Sequence, residues 1–479
     1  MLLRMIYDDK LAAAAYLIGC QKTGEAIVID PERDIDRYEM LAAANGLRIV
    51  ATTETHIHAD FLSGSRELAA RGAMVYLSDE GDADWKYQWV GPASGNAYRY
   101  RLLKNTDTFH VGNIEFEAVH TPGHTPEHLC FRVTDRGGGA DQPMGVLSGD
   151  FVFVGDLGRP DLLESAAGIA GKADPSAHRL FSSVQAFLSW PEYLQLWPGH
   201  GAGSACGKAL GAVPQTTVGY EKLYNPAIHA AASEDAFVRS ILEAQPEPPV
   251  YFARMKRENK FGPAVLGRVP TPKRFSPTEF ASIDPMRVAV IDTRPWAAYR
   301  DAHPRGAIWL PVNNSFSTDA GSLLSEEEPI ALLTTPGLVD EAVRALIRIG
   351  LDRITGWLDV SDLAEAQRVG LTLESTKEVD ATSAASLVRA GSHFLLDVRR
   401  SSEFHEGAIP GAMNISHTRL RSRLHEIPRG KPVLINCRSG VRSGRSSSLL
   451  QRLGYDVVNL AGGYLAWEKA AVANPSMLH

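Results

Sequence analysis

At 479 residues the chain is too long for one ordinary hydrophobic core, and its length suggests about three domains. Apolar residues make up 44% and charged residues 22%, the balance of a globular protein with no disordered bias and no run long enough for a membrane helix. With 49 basic against 56 acidic residues, a net charge of −7, the chain gives no ground for nucleic acid or a membrane as partner and points to small molecules.

The first elements are short apolar strands. LAAAAYLIGC, ending at Cys20, has a faint look of a lipoprotein signal, but Asp8 and Asp9 precede it where positive charge belongs. QKTGEAIVIDP continues as a second strand after a turn, so the prediction is a hairpin. Only four cysteines occur, Cys20, Cys130, Cys206 and Cys437, too sparse for a disulfide framework and in keeping with a reducing, cytoplasmic setting. Cys20 and Cys130 lie in apolar strand patterns and read as core.

LRIVATTETHIHADFLSGSRELAA reads as a strand, a loop with His56 and His58, and a helix opening near Asp60. Trp85, Tyr87 and Trp89 alternate as a strand whose rings line core or pocket wall. Next come His120, His124 and His128, whose four-residue spacing would suit a helix; Pro122, Gly123 and Pro126 forbid one and assign them to a loop. MGVLSGDFVFVGDLGRPDL brings Asp150, Asp156, Arg159 and Asp161, and WPGHGAGSACG brings His200 and Cys206. A lone histidine is more often a satisfied polar residue than a ligand, the reading given to His120 and His128.

QPEPP at 245–249 then breaks any regular element, and the basic, proline-containing stretch up to Lys273 reads as a linker, 246–274. From Pro277, PTEFASIDPMRVAVIDTRPWAAYRDAHPRGAIWLPV reads as helix, strand, helix, strand. The layout recurs about a hundred residues later: AVIDTRPWAAY against FLLDVRRSSEF, EPIALLTTPG against KPVLINCRSG, IGLDRI against LGYDVV. In the second copy, VLINCRSGVRSG sets Cys437 and Arg442 on a loop between a strand and a helix. Backbone N–H groups of such a loop, the positive end of the helix and the charges of Arg438 and Arg442 favour a thiolate and an anionic sulfur adduct. In the first copy Thr334 stands for the cysteine and Val339 for the arginine, and a threonine hydroxyl carries no persulfide. That copy is expected to be catalytically silent, a spacer or packing surface.

Both copies resemble rhodanese domains, which implies parallel sheets wrapped by helices, over 275–372 for the silent copy and 377–479 for the active one. The cysteine phosphatases use a loop one residue longer, made for a phosphoryl group; here that next position is Ser443, and the shorter ring suits a transferred sulfur. Residues 1–245, in the order of their pieces, resemble the metallo-β-lactamase superfamily, which implies a four-layer αββα sandwich with metal ligands on loops at one sheet edge. The expected fold class is thus a multidomain α/β and α+β protein. Hydrolases of that superfamily, glyoxalase II among them, read His-x-His-x-Asp-His; here the last position is Phe61, and losing that imidazole implies one metal.

The closer resemblance is to the persulfide dioxygenases of the superfamily, the ethylmalonic-encephalopathy type. It implies one Fe(II) per chain held by His56, His124 and Asp150, with open positions for substrate sulfur and O₂. His58, Asp60, Arg159, Asp161 and His200 then touch the ligands or the substrate rather than the metal. Cys206 is either a sulfur relay beside the iron or a small residue packing a tight turn. The fusion implies a pathway in which glutathione persulfide, or another low-molecular-weight thiol persulfide, and O₂ give sulfite and thiol. Cys437 then exchanges sulfane sulfur with sulfite to form or use thiosulfate. A homo-oligomer of bacterial origin is expected. The alternatives are a zinc-dependent thioester hydrolase of glyoxalase II type with a rhodanese tail, and a redox-sensing or sulfur-carrier module whose only chemistry is at Cys437.

Overall fold

The computed structural model describes residues 1–162, 171, 173–208, 210–243, 245 and 247–473. Pro246 of the helix-breaking run and the end of the last expected domain, 474–479, lie outside them. The chain divides into two units, one made of Met1–Val269 with Ile347–Gly350, the other of the remainder.

In the first unit, strand alternation builds four layers. Along Ala13–Cys20, Tyr16 and Ile18 face one way and Ala15 and Leu17 the other, and all are buried, as a sheet covered on both faces requires. This strand pairs antiparallel with Leu2–Asp8 and with Glu25–Ile29, so the expected hairpin is present, closed where Gly24 N donates to the Cys20 carbonyl at 2.9 Å. Arg48–Thr53, Met74–Ser78 and Tyr100–Leu103 continue the sheet in parallel. A second sheet runs in chain order through Thr108–Val111, Ile114–His120, Leu129–Asp135, Gly145–Gly149, Gln195–Pro198 and Thr216–Thr217. The inner faces share one core, with Tyr16, Ile18, Ile27 and Ile29 from the first sheet and Phe116, Phe131 and Trp197 from the second. Each such side chain contributes about 1.5–3 kcal/mol on burial. Helix Asp36–Ala44 covers the first sheet through Tyr38 and Ala42, and helix Ala173–Phe187 covers the second through Leu180, Val184 and Phe187.

Three local expectations change. The helix after the first histidine pair opens at Ser65 rather than near Asp60, which leaves residues 54–64 as one long loop over the sheet edge. The Trp85–Trp89 run is not a strand: the Asp82 carboxylate accepts the Asp84 N–H at 2.9 Å and folds the chain into a short 3₁₀ turn, Ala83–Trp85, although all three rings are buried as expected. The stretch read as a linker contains a helix, Phe252–Phe261, which buries Phe252, Met255 and Asn259 at helical spacing. The Asn259 amide donates to the His58 carbonyl at 2.8 Å and to the Phe61 carbonyl at 2.7 Å, and its oxygen accepts the Ser63 N–H at 2.9 Å. The histidine loop is pinned from a position two hundred residues later in the chain.

The second unit holds the repeat. Its two five-stranded sheets have the same spatial order: Lys273–Arg274, Ile354–Asp359, Ile330–Thr334, Ala289–Asp292, Ile308–Trp309 in one; Lys377–Val379, Val457–Leu460, Val433–Asn436, Phe394–Asp397, Met413–Asn414 in the other. Helices Trp296–Asp301 and Ser401–His405 also correspond. The predicted helix, strand, helix, strand from Pro277 is present as Pro277–Ala281, Ala289–Asp292, Trp296–Asp301 and Ile308–Trp309. No helix among the described residues is long and apolar enough to cross a membrane.

Candidate metal centre and sulfur site

The loops at the C-terminal ends of Arg48–Thr53, Ile114–His120, Gly145–Gly149 and Gln195–Pro198 gather the histidines and carboxylates. His56, His124 and Asp150 each bring one donor atom within 4.8 Å of the others, all buried. His124 Nε2 lies 3.4 Å and His56 Nε2 3.9 Å from Asp150 Oδ2. Each ring is aimed from behind: His124 Nδ1 donates to the Arg159 carbonyl at 3.0 Å, and His56 Nδ1 lies 2.9 Å from the Thr55 hydroxyl. Burial and the surrounding imidazoles push His56 well below the usual histidine range; burial also lowers His124, so both rings are neutral. Burial would raise the Asp150 carboxyl, but the His200 imidazole holds it below the usual range.

Both Asp150 oxygens are buried without a hydrogen-bond partner. A charged carboxylate left so would cost several kcal/mol. Two neutral imidazole nitrogens and an unpartnered carboxylate converging on one point are what a divalent cation requires, so the residues fit a metal.

A second group lies beside the first: Asp60, His200 and Cys206 also bring donor atoms within 4.8 Å of one another. His200 Nε2 is 3.4 Å from Asp60 Oδ2 and 3.5 Å from Asp150 Oδ1, while its Nδ1 donates to the Ala12 carbonyl at 2.9 Å. The two Asp150 oxygens therefore face the two groups, and both Asp60 oxygens also lack a hydrogen bond. Burial raises the Asp60 carboxyl; burial and the nearby Asp150 and Asp60 push the Cys206 thiol well above its usual range. Phe61, buried, stacks on the His58 ring at 4.4 Å between centroids.

The remaining residues divide. His58 turns its Nε2 to Asp30 Oδ1 at 3.0 Å, and although burial opposes it, Asp30 raises its pKa to about 9. His120 meets the Pro126 carbonyl at 2.9 Å. His128 accepts the Asp150 N–H at 3.1 Å and meets the Thr121 hydroxyl at 2.8 Å, so it fixes the backbone of Asp150. Arg159 is buried, paired with Asp161 at 2.7 Å and donating to the Ala205 carbonyl at 3.1 Å; the pair braces the loops carrying His124 and Cys206. Sequence reasoning missed Asp30, which also accepts the Thr55 N–H at 2.7 Å, because nothing local to IDPER marks it.

In the second unit Cys437 follows strand Val433–Asn436, and helix Val441–Arg452 starts four residues on. Its Sγ accepts the Gly440 N–H at 3.2 Å and the Ser443 hydroxyl at 3.5 Å. Gly440, with φ of 94°, turns the loop in a way a side chain would resist, and a Cβ on Gly463 would collide with the Cys437 carbonyl. Arg438 is exposed. Arg442 is not a bare charge beside the sulfur: its guanidinium forms a two-pronged pair with Glu403 at 2.6 and 2.8 Å. The signal available for Glu403 was its place in the first turn of the helix after the Asp397-x-Arg399 corner. In the first repeat the Thr334 hydroxyl accepts a hydrogen bond from Thr293 at 2.9 Å. All four cysteines are free and buried.

A metallo-β-lactamase superfamily model matches residues 8–203, and a rhodanese-like domain model matches 380–470. A crystal structure titled as a metallo-β-lactamase from Staphylococcus aureus subsp. aureus COL is 39% identical, covers 75% of this chain and 99% of its own, and superposes with a TM-score of 0.66. The chain belongs to the metallo-β-lactamase superfamily. It joins that superfamily's αββα domain to a C-terminal rhodanese-like domain, so both ends are of enzyme families. Among superfamily relatives, a hydroxyacylglutathione hydrolase of Nitrosococcus oceani is 31% identical over 39% of this chain and 60% of its own length. The mitochondrial persulfide dioxygenase ETHE1 of Bos taurus is 27% identical over 35% of this chain and 59% of its own length.

Proposed function

We propose that the protein oxidises a low-molecular-weight thiol persulfide at a single Fe(II) held by His56, His124 and Asp150, and moves sulfane sulfur through Cys437. The observation that carries the reading is the buried, unpartnered Asp150 carboxylate between two neutral imidazoles, in a chain that also carries a cysteine sulfur cradle. Overall, RSSH, O₂ and H₂O give RSH, sulfite and two protons. Iron supplies the redox step between O₂ and the terminal sulfur. The protein supplies nitrogen lone pairs at His56 and His124, whose tautomers are held by Thr55 and the Arg159 carbonyl. It also fixes the Asp150 charge through the His128–Asp150 backbone bond, in a site closed to bulk water by burial. At the sulfur site, the Cys437 thiolate attacks the outer sulfur of thiosulfate; the S–S bond breaks, sulfite leaves with the electron pair, and Cys437 keeps a persulfide, whose charge the Gly440 N–H and Ser443 hydroxyl receive. The reverse step consumes sulfite.

Metal analysis with oxygen uptake on glutathione persulfide tests this. About one iron per chain and persulfide-dependent uptake are expected, with Asp150→Ala abolishing uptake and leaving thiosulfate sulfur transfer within about twofold, because the domains carry separate cores. A second reading is favoured by one observation, the Asp60–His200–Cys206 group sharing Asp150: a two-zinc thioester hydrolase. Two zinc ions per chain with turnover of S-lactoylglutathione would replace the proposal with that reading.

A further inference from the structure

The silent repeat has lost its chemistry, yet it sends side chains onto the helix that completes the sulfur cradle of the other repeat. Helix Val441–Arg452 begins where the Cys437 loop ends, and its residues 444, 445, 448 and 452 lie on one face by helical spacing. The first repeat covers that face. A Cβ on Gly444 would stand 3.0 Å from the Trp309 ring and 3.1 Å from the Trp296 ring. The Trp309 N–H donates to the Ser448 hydroxyl at 3.0 Å, and Arg452 donates to the Pro285 carbonyl at 3.1 Å and pairs with Glu328 at 3.0 Å.

The centre of this contact is Asp319, fully buried in helix Phe316–Leu323 of the silent repeat. Its carboxylate meets Arg445 Nη1 at 2.6 Å and His417 Nε2 at 3.3 Å, both from the active repeat. Arg445 is itself buried, reaches Asn313 Oδ1 at 3.4 Å and lies over the Trp309 ring. A buried charge pair of this kind adds little net stability but fixes geometry, since removing one partner strands the other. Two residues before Arg445, the Ser443 hydroxyl lies 3.5 Å from Cys437 Sγ and 3.1 Å from the Gly440 carbonyl. A shift of this helix along its axis would move that hydroxyl and the Gly440 N–H off the sulfur together.

We infer that Asp319 of the silent repeat is a positioning residue for sulfur transfer: through Arg445 it sets the axial position of the helix whose first turn receives the Cys437 sulfur. This rests on the reading of Cys437 as the sulfur-transfer thiol. Asp319→Asn keeps the size and removes the charge. In the full-length protein, with thiosulfate as donor and cyanide as acceptor, it is expected to lower kcat about tenfold, because small misplacements of reacting groups are costly. Alkylation of Cys437 by iodoacetamide should slow in parallel at temperatures where circular dichroism shows the fold intact, a change that loss of stability alone does not produce. Arg445→Gln should match it, and the double variant should lose no more than either single one, as expected of one contact acting as a unit. Should Asp319→Asn fail to fold, Ser448→Ala tests the same clamp and should slow alkylation in the same direction. A kcat and an alkylation rate both within about twofold of wild type in Asp319→Asn, with Cys437→Ser inactive, would overturn the inference. Sulfur transfer surviving in Cys437→Ser would instead overturn the reading on which it rests.

Discussion

The two repeats share a scaffold and differ in a single loop's worth of chemistry. Arg294 and Arg399 make the same bonds at the same corner: each guanidinium grips the aspartate two residues before it, Asp292 at 2.6 Å and Asp397 at 2.7 Å, and each reaches a carbonyl eight residues on, Ala302 or Gly407, at 2.7 Å. The buried corner is kept because an unpaired aspartate there would be costly whatever the repeat does. The cysteine loop is exempt from that constraint. Cys437, Arg442 and Glu403 correspond to Thr334, Val339 and Ala298, so the cysteine and both halves of the neighbouring ion pair are replaced as a set. Gly440 takes a left-handed φ, whereas Gly337 sits in a 3₁₀ turn without one. A fold is thus preserved by its buried polar contacts and a function by its loop, and the two are lost separately.

The sharpest way to break this comparison is at the cysteine. Cys437→Ser should eliminate thiosulfate sulfurtransferase activity, while Thr334→Ala leaves it within about twofold, since no reacting atom is touched; a large loss in the second variant, with the fold intact, would show chemistry in the silent repeat. Next in size is Gly463→Ala, where a methyl group must displace the Cys437 carbonyl; sulfur transfer should fall about ten- to a hundredfold, read as kcat with cyanide as acceptor, and oxygen uptake by the first domain should not change. Smaller is Glu403→Gln. Burial opposes ionisation of Glu403, but Arg442 brings its carboxyl from 4.5 down to about 2. Because the folded value is the lower one, the pair stabilises at neutral pH and its contribution fades as pH falls from about 4.5 towards about 2. The group is partly exposed, so the variant should lose no more than about 1 kcal/mol at pH 7, and the difference in urea midpoint from wild type should shrink at pH 3. A difference that grows in acid would mean another group sets the effect. The smallest change expected is none: Thr334→Cys in a Cys437→Ser background should not restore activity, because the turn at Gly337 offers no cradle and Val339 no charge.

The chemistry near the sulfur was legible because its parts are consecutive: strand end, cysteine, glycine and helix start fall within a dozen residues, and local spacing carries that much. Glu403 and Arg442, 39 residues apart, meet only through the sheet, and no pattern in either segment names the other. The metal loops tell the same story at longer range. Motif order identified His56, His124 and Asp150, which the fold brings together, but Phe61 suggested an empty second position where the chain in fact places Asp60, His200 and Cys206 side by side. That grouping depends on the path of the loop after Gln195–Pro198. The repeat was visible from its second strand onward, since Ala289–Asp292 and Phe394–Asp397 carry the same pattern, but its first strand, Lys273–Arg274, fell inside the stretch read as linker. The helix in the supposed linker was not visible, because its buried side mixes Arg254 and Asn259 with Phe252 and Met255 while Phe261 is exposed, which hides the apolar period.

That helix bears on where the chain can be cut. A first domain ended near residue 245 would look complete by sequence, yet it would remove Asn259, and with it the two amide bonds holding the carbonyls of His58 and Phe61 and the acceptor for Ser63 N–H. Such a fragment would fold, take up metal poorly, and be mistaken for proof that the metal-loop domain needs the rhodanese-like one. Any dissection of the two proposed activities has to keep residues through Val269 with the metal loops, so that an inactive fragment reports on the chemistry and not on a missing clasp.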